Sequence, residues 1–317
     1  MTRFQQHGWR GYAYIAAATL CWGVSATLGR AAFTGRLLSS GALEPIGPLI
    51  LTQSRATLSL LVVAPILLLR RGPKGLTLSR WDFVRAMLAG TAGLAASNYF
   101  YYLAIQKTNV ATAIILQYTA PVWVLLYMVL RGLQRATIQR VASVGLAVIG
   151  SVLAIGVVGE GQLAINRAGV GAAMLAALAF AYYNIAVPKL LIRHDRWKVL
   201  LYVLLASTLC WLIVNPPWRV FETHYSREQI GFMVAFAVIS ALLPFSLYIA
   251  GLQHLDSTRA IVTSCLEPVF SILIAAVALG ELVYPVQVVG IVVVLLATVL
   301  VQIRGRREPA TVIEPIE

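Results

Sequence analysis

Charge is scarce in this chain: 12% of its residues are charged and only 12 are acidic. Soluble domains carry about 25% charged residues, so there are too few here to cover a water-facing surface. Cysteine is scarce as well. Cys21, Cys210 and Cys265 are odd in number and lie inside apolar segments, which excludes a disulfide framework and leaves them as small apolar fillers. The four histidines, His7, His194, His224 and His254, fall in connecting segments or at helix ends on both sides of those segments, so they do not converge on one site. A nucleophile with its base, paired carboxylates and a Gly-rich phosphate loop are all missing. The sequence therefore implies no enzyme active site, no metal and no cofactor.

What fills the chain is apolar: 59% hydrophobic residues and a mean hydropathy of +0.81. Apolar runs of about 20 residues, the length that crosses a bilayer core, recur at 12–33, 46–69, 83–103, 109–130, 141–158, 168–190, 197–215, 230–252, 258–279 and 286–303. They are continuous, as in LLVVAPILLLR, rather than alternating, which indicates helices and not the strands of a barrel. The predicted fold class is all-α integral membrane, with ten transmembrane helices. The first run is as long as the others and no small-residue cleavage site follows it, so it is read as a retained helix rather than a signal peptide.

A net charge of +13 would suit nucleic acid in a soluble protein, but here the basic residues sort by side. The segments before the first run, after the last, and between runs 2 and 3, 4 and 5, and 6 and 7, taken with Arg85, Lys189 and Lys198 at the adjoining run ends, hold 17 of the 25 Lys and Arg residues. The alternate segments hold five, namely Arg36, Lys107, Arg167, Arg219 and Arg227. Both termini are thus predicted to be cytoplasmic. The basic surplus is matched to anionic lipid headgroups, with no nucleic-acid partner.

Residues 103–122, LAIQKTNVATAIILQYTAPV, align without gaps with residues 250–269, AGLQHLDSTRAIVTSCLEPV, at an offset of 147. Gln106/Gln253, Ala113/Ala260, Ile114/Ile261, Pro121/Pro268 and Val122/Val269 are identical. Each window covers the start of the fourth run of a five-run half. Because five is odd, the second half enters the membrane the other way up, which makes an inverted repeat. The expected organisation is an N-terminal tail at 1–11, five-helix repeats at 12–158 and 168–303, and a disordered tail at 304–317. Inverted repeats mark secondary transporters, whose site lies near the midplane where the halves meet.

Three stretches carry a family likeness: CWG at 21–23, SRATLSLL at 54–61 and SCLEPVFSILIAAVALGE at 264–281. With the ten runs in two halves, they resemble the EamA family of the drug/metabolite transporter (DMT) superfamily over nearly the whole chain. The resemblance implies a bacterial inner-membrane carrier, often an exporter of amino acids or related metabolites. It also implies a central cavity between the halves, with the fifth and tenth helices more peripheral. The family's Leu-Glu-Pro element falls on Leu266, Glu267 and Pro268, and its Gly-Glu on Gly280 and Glu281. The glutamate often found after the fourth helix is Gln134 here.

Glu267 stands near mid-span, where a charge costs at least about 2.5 kcal/mol and faces protein or a cavity if it is kept at all. Thr263, Glu267 and Ser271 share one helical face, with Ser264 beside them. Glu267 is expected either to bind a cationic group or a proton, or to be tied to backbone groups or to Arg55, a structural charge in the second run. Pro121 and Pro268 lack an N–H and release the carbonyls of Gln117 and Ser264, as hinges or as static kinks. Arg30 and Arg259, near helix ends, are expected to reach the headgroups.

Polar and aromatic clusters at 97–102 (SNYFYY), 117–119 (QYT) and 182–184 (YYN) offer Asn98, Tyr102, Gln117, Tyr118, Tyr183 and Asn184 as cavity residues. Trp22 and Ser25 in the first run, and Thr263 and Ser264 beside Glu267, complete the expected lining. The plainer reading of the same residues is interhelical hydrogen bonding and an interfacial aromatic belt. Gly145, Gly150, Gly156, Gly169 and Gly171 read as close-packing positions. The function expected is secondary active transport of small organic metabolites by alternating access, outward, with proton coupling and oligomeric state open. A membrane-embedded enzyme, a channel and a purely structural membrane protein are the alternatives.

Overall fold

The computed structural model describes residues 8–34, 46–108, 110–155, 166–222, 224–279 and 282–302. His7, Arg36, Gly156, Gly280, Glu281, the side chain of Arg30 and the tail at 304–317 lie outside the described residues. Every regular element among them is helical. In chain order they are α1 (Gly8–Thr34), α2 (Pro48–Gly75), α3 (Arg80–Leu88, Ala89–Ala95 and Ala96–Lys107 in one run), α4 (Val110–Gln117 and Ala120–Leu130) and α5 (Ile138–Ile155). There follow α6 (Arg167–Leu191), α7 (Arg196–Val214), a short helix Pro217–Glu222, and α8 (Arg227–Ala237, Val238–Leu242 and Leu243–Leu252 in one run). The last two are α9 (Ser257–Ser264 and Glu267–Leu279) and α10 (Pro285–Gln302).

Helices begin where the sequence supplies a side-chain acceptor for the first free amides. Ser79 accepts from the Asp82 amide, Asn166 from Ala168 and Gly169, Asp195 from Trp197 and Lys198, and Asp256 from Arg259. Ser226 and Gln229 form a reciprocal capping box at the start of α8. Eight helical segments among the described residues are long and apolar enough to cross a membrane. They do not include α1 or α3. In α3 the polar stretch SNYFYY dilutes the apolar content, and several of its side chains face a cavity instead of lipid.

Two pairs of helices are irregular in matching ways. Both α3 and α8 pass through π-helical turns, at Ala89–Ala95 and Val238–Leu242. Both α4 and α9 are kinked, at residues 118–119 and 265–266, where the amides of Thr119 and Leu266 turn back three residues to Leu116 and Thr263 at 3.1 Å each. Pro121 and Pro268 then occupy the first turn of the helical stretches that follow. The sequence had suggested one kinked helix with carbonyls released by proline. The backbone stays in the right-handed helical region through Thr119 and Cys265, so each helix is kinked by a three-residue turn just ahead of its proline and then runs on.

α5 and α10 pack along each other, α1 packs on α8 and α9, α3 on α6 and α7, and α2 on α7 and α8. The α5–α10 seam is tight at glycine: a Cβ on Gly290 would meet the Ala154 backbone at 2.2 Å, and one on Gly150 the Val294 backbone at 2.8 Å. Small residues let backbones approach in this way. Gly169 is likewise crowded by Lys107 and Thr108, but Gly145 and Gly171 meet nothing within 4 Å, so these two are not packing glycines.

One end of the bundle is tied by polar contacts. Asp82 at the start of α3 accepts from His194 at 2.9 Å and Arg85 at 3.2 Å, with Arg193 at 3.9 Å, and Arg71 of α2 pairs with Asp195. Asp256 lies 3.5 Å from Arg259 and 3.9 Å from Arg140 of α5, and Thr258 donates to Gln134 at 2.7 Å. Arg259 thus reaches an aspartate instead of a headgroup. Burial alone would raise the Asp82 carboxyl, but hydrogen bonds from His194 and Ser79 and the charges of His194 and Arg193 hold it below the ordinary aspartate value.

Candidate functional site

A cavity of about 390 Å³ lies between the kinked helices α4 and α9. Its wall takes Trp22 from α1, Arg55 from α2, Ser97, Asn98, Tyr101 and Tyr102 from α3, Gln117, Tyr118 and Pro121 from α4, and Phe180 from α6. Phe245 of α8, Ser264, Glu267, Pro268 and Ser271 of α9, and Gln287 of α10 complete it. Arg55 is close to the start of α2, Tyr102 to the end of α3, Ile155 ends α5 and Gln287 begins α10. The cavity therefore occupies the half of the bundle away from the Asp82 and Asp256 contacts.

Two opposite charges face it. Arg55 donates from Nη2 to Asn98 Oδ1 at 2.6 Å, and Asn98 donates to the Leu94 carbonyl at 2.9 Å, so the guanidinium is held on a carboxamide that is itself anchored. Glu267 shares the cavity wall with Tyr118 and lies within electrostatic reach of Arg55. It directly follows the tightened turn at 265–266 and precedes Pro268. Gln117 donates to Ser97 Oγ at 3.5 Å, and Ser97 to the Ala176 carbonyl at 3.2 Å.

Of the residues expected to line the cavity, Trp22, Asn98, Tyr102, Gln117, Tyr118, Ser264 and Glu267 do so, together with both prolines. Arg55 is in the wall too. Ser25, Tyr183, Asn184 and Thr263 are not. Ser25 donates to the Trp22 carbonyl and Thr263 to that of Arg259, at 2.9 and 2.7 Å. Tyr183 is fully buried between Gly93 and the rings of Phe180 and Phe245, and Asn184 accepts from the Tyr248 hydroxyl at 2.6 Å. α6 turns Phe180, three residues earlier, to the cavity instead.

Ser97, Tyr101, Phe180, Phe245 and Gln287 were not singled out from the sequence. Ser97 and Tyr101 belong to the SNYFYY cluster and were within reach of helical spacing. Phe245 and Gln287 sit in apolar or short segments that carry no signal. The ends of α5 and α10 line the cavity at Ala154, Ile155 and Gln287, so these helices are not wholly peripheral. Among the described residues, no group of three or more His, Cys, Asp or Glu side chains could hold a metal ion.

Residues 9–156 and 167–303 each match the EamA-like transporter family. The chain belongs to that family. The inner membrane transporter YicL of Salmonella typhimurium is 25% identical over 231 residues, 72% of this chain and 76% of YicL. The threonine/homoserine exporter RhtA of Escherichia coli K12 is 25% identical over 215 residues, 68% of this chain and 70% of RhtA. A solved crystal structure shares the fold, with a TM-score of 0.72 at 19% identity over 92% of this chain and 96% of the other. This EamA-family protein is a multi-pass membrane protein, and its cavity draws on both matched segments: Arg55, Asn98 and Tyr118 from the first, Ser264 and Glu267 from the second.

Proposed function

We propose that this protein is a secondary transporter that exports small zwitterionic metabolites, amino acids or related compounds, by alternating access through the cavity. The observation that carries the reading is that Arg55 and Glu267, opposite charges from the two family-matched segments, line one aromatic-walled space. Arg55 takes the substrate carboxylate through its planar fork. Glu267 takes the ammonium group or a proton. The identity of the relative RhtA as a threonine/homoserine exporter supports this class of substrate.

In this reading the chain has ten spans as two inverted repeats at 12–158 and 168–303, with both termini cytoplasmic in a bacterial inner membrane. The matching π turns of α3 and α8 and the matching kinks of α4 and α9 support it. Exchange of access opens the tied end at Asp82 and Asp256 as the cavity end closes, with the kinks at Pro121 and Pro268 as hinges. Flux in proteoliposomes tests the whole reading, using a panel of amino acids, amines and sugars with and without a proton gradient. Saturable flux of amino acids is the expected result. Flux of none of the panel, or flux linear in concentration, overturns it.

A further inference from the structure

A second cavity of about 480 Å³ lies on the outside of the bundle, between α4 and α6 and above the start of α3. Its long axis has two chemistries. Toward the middle of α4 and α6 it is lined by Trp123, Leu178 and Tyr182, of which Leu178 and Tyr182 are exposed on the bundle surface. At the end near the Asp82 contacts it is lined by Arg85 and Lys189. Both cations are exposed, and Lys189 is held over Tyr127, donating to its hydroxyl at 3.2 Å with its ammonium 5.5 Å from the ring centroid.

We infer that this groove binds one anionic phospholipid, its acyl chain lying along Trp123 and Leu178 and its phosphate between Lys189 and Arg85. The shape is that of a lipid: apolar for several helical turns and basic at one end. The setting is also right, because the exposed faces of α4 and α6 are lipid-facing in a multi-pass protein. Anionic headgroups are drawn to basic pockets between membrane helices. A water-soluble anion has no use for the apolar length, and a zwitterionic lipid gains little from two cations. Arg85 is already paired with Asp82 at 3.2 Å, so Lys189 supplies the larger share of the selectivity.

The test is quenching of tryptophan fluorescence in vesicles by phosphatidylglycerol or phosphatidylcholine brominated on one acyl chain. Wild-type protein minus a Trp123→Phe variant isolates the Trp123 signal. Quenching of Trp123 by the anionic lipid at several-fold lower mole fraction is expected, with roughly fivefold of the preference lost in Lys189→Gln. Lys189→Arg keeps it and guards against a folding artefact. Equal quenching by the two lipids in the wild type overturns the proposal, as does a preference untouched by Lys189→Gln. Protection of Trp123 from both lipids, with cross-linking between copies, also overturns it by showing that a second copy covers the groove.

Discussion

Arg55 and Asn98 are joined by a 2.6 Å hydrogen bond across α2 and α3, and Asn98 leans in turn on the carbonyl of Leu94. The guanidinium is thus held in one orientation at the cavity wall. The same bond would satisfy a structural arginine; in the proposed carrier it preorganises the fork, which lowers the cost of ordering on binding.

Arg55→Lys keeps the charge but loses the fork. It is expected to raise the KM for amino acids about tenfold while leaving amines without a carboxylate unaffected, since bidentate geometry is what lysine cannot copy. Asn98→Ala is expected to give a weaker version of the same change. Concentration series in proteoliposomes check both, and a wild-type KM in Arg55→Lys would remove the carboxylate from the site.

Glu267→Gln has nearly the same shape and no charge. Flux of substrates carrying an ammonium group is expected to fall at least about tenfold, the effect of losing one charge-assisted contact, with the thermal midpoint little changed. Normal flux with an unaltered pH profile would show that the carboxylate only supports the kink in α9.

Two glycines of the same helix pair should respond in opposite directions. Gly290→Ala drives a methyl into the Ala154 backbone at 2.2 Å and is expected to cost about 1–3 kcal/mol or more. Gly145→Ala meets nothing within 4 Å and is expected to stabilise α5 by up to about 1 kcal/mol through helix propensity. Thermal unfolding in detergent reads both.

The lowered Asp82 value makes a pH prediction. A carboxyl whose folded value is depressed contributes fully above the ordinary range near about 3.9 and loses that contribution as pH falls through the lowered value. Asp82→Asn is expected to lower stability by about 1–3 kcal/mol at neutral pH and to flatten the acid limb of the curve. An unfolding profile identical to wild type from neutral to acid pH would show that the tied end owes nothing to this carboxylate.

Much of this was legible in the order of residues, and what was not has physical reasons. Apolar run lengths placed the helices because bilayer thickness dictates them, and Glu267 stood out because a mid-span charge has few permitted surroundings. Tyr183 and Asn184 were misplaced because α6 is surrounded on most sides, with Ala172, Ala176 and Ala179 buried along it, so polarity alone does not say which face meets the cavity. Phe245 was invisible because an aromatic in an apolar helix looks the same against lipid, protein or ligand. The helix kinks were half visible: the prolines announced a disturbance, and only the backbone shows that it falls two residues earlier.

In the ungapped alignment of residues 103–122 with 250–269, Ala120 in the first family-matched segment stands where Glu267 stands in the second. Among the described residues lining the cavity, Glu267 is the single carboxylate. That count sets a stoichiometric ceiling: one negative charge inside can be neutralised by one cation at a time. In the transport cycle proposed above, a substrate ammonium and a proton would take turns at the same oxygens. One-for-one exchange is the accounting that the proposed carrier, with a single carboxylate in its chamber, would keep.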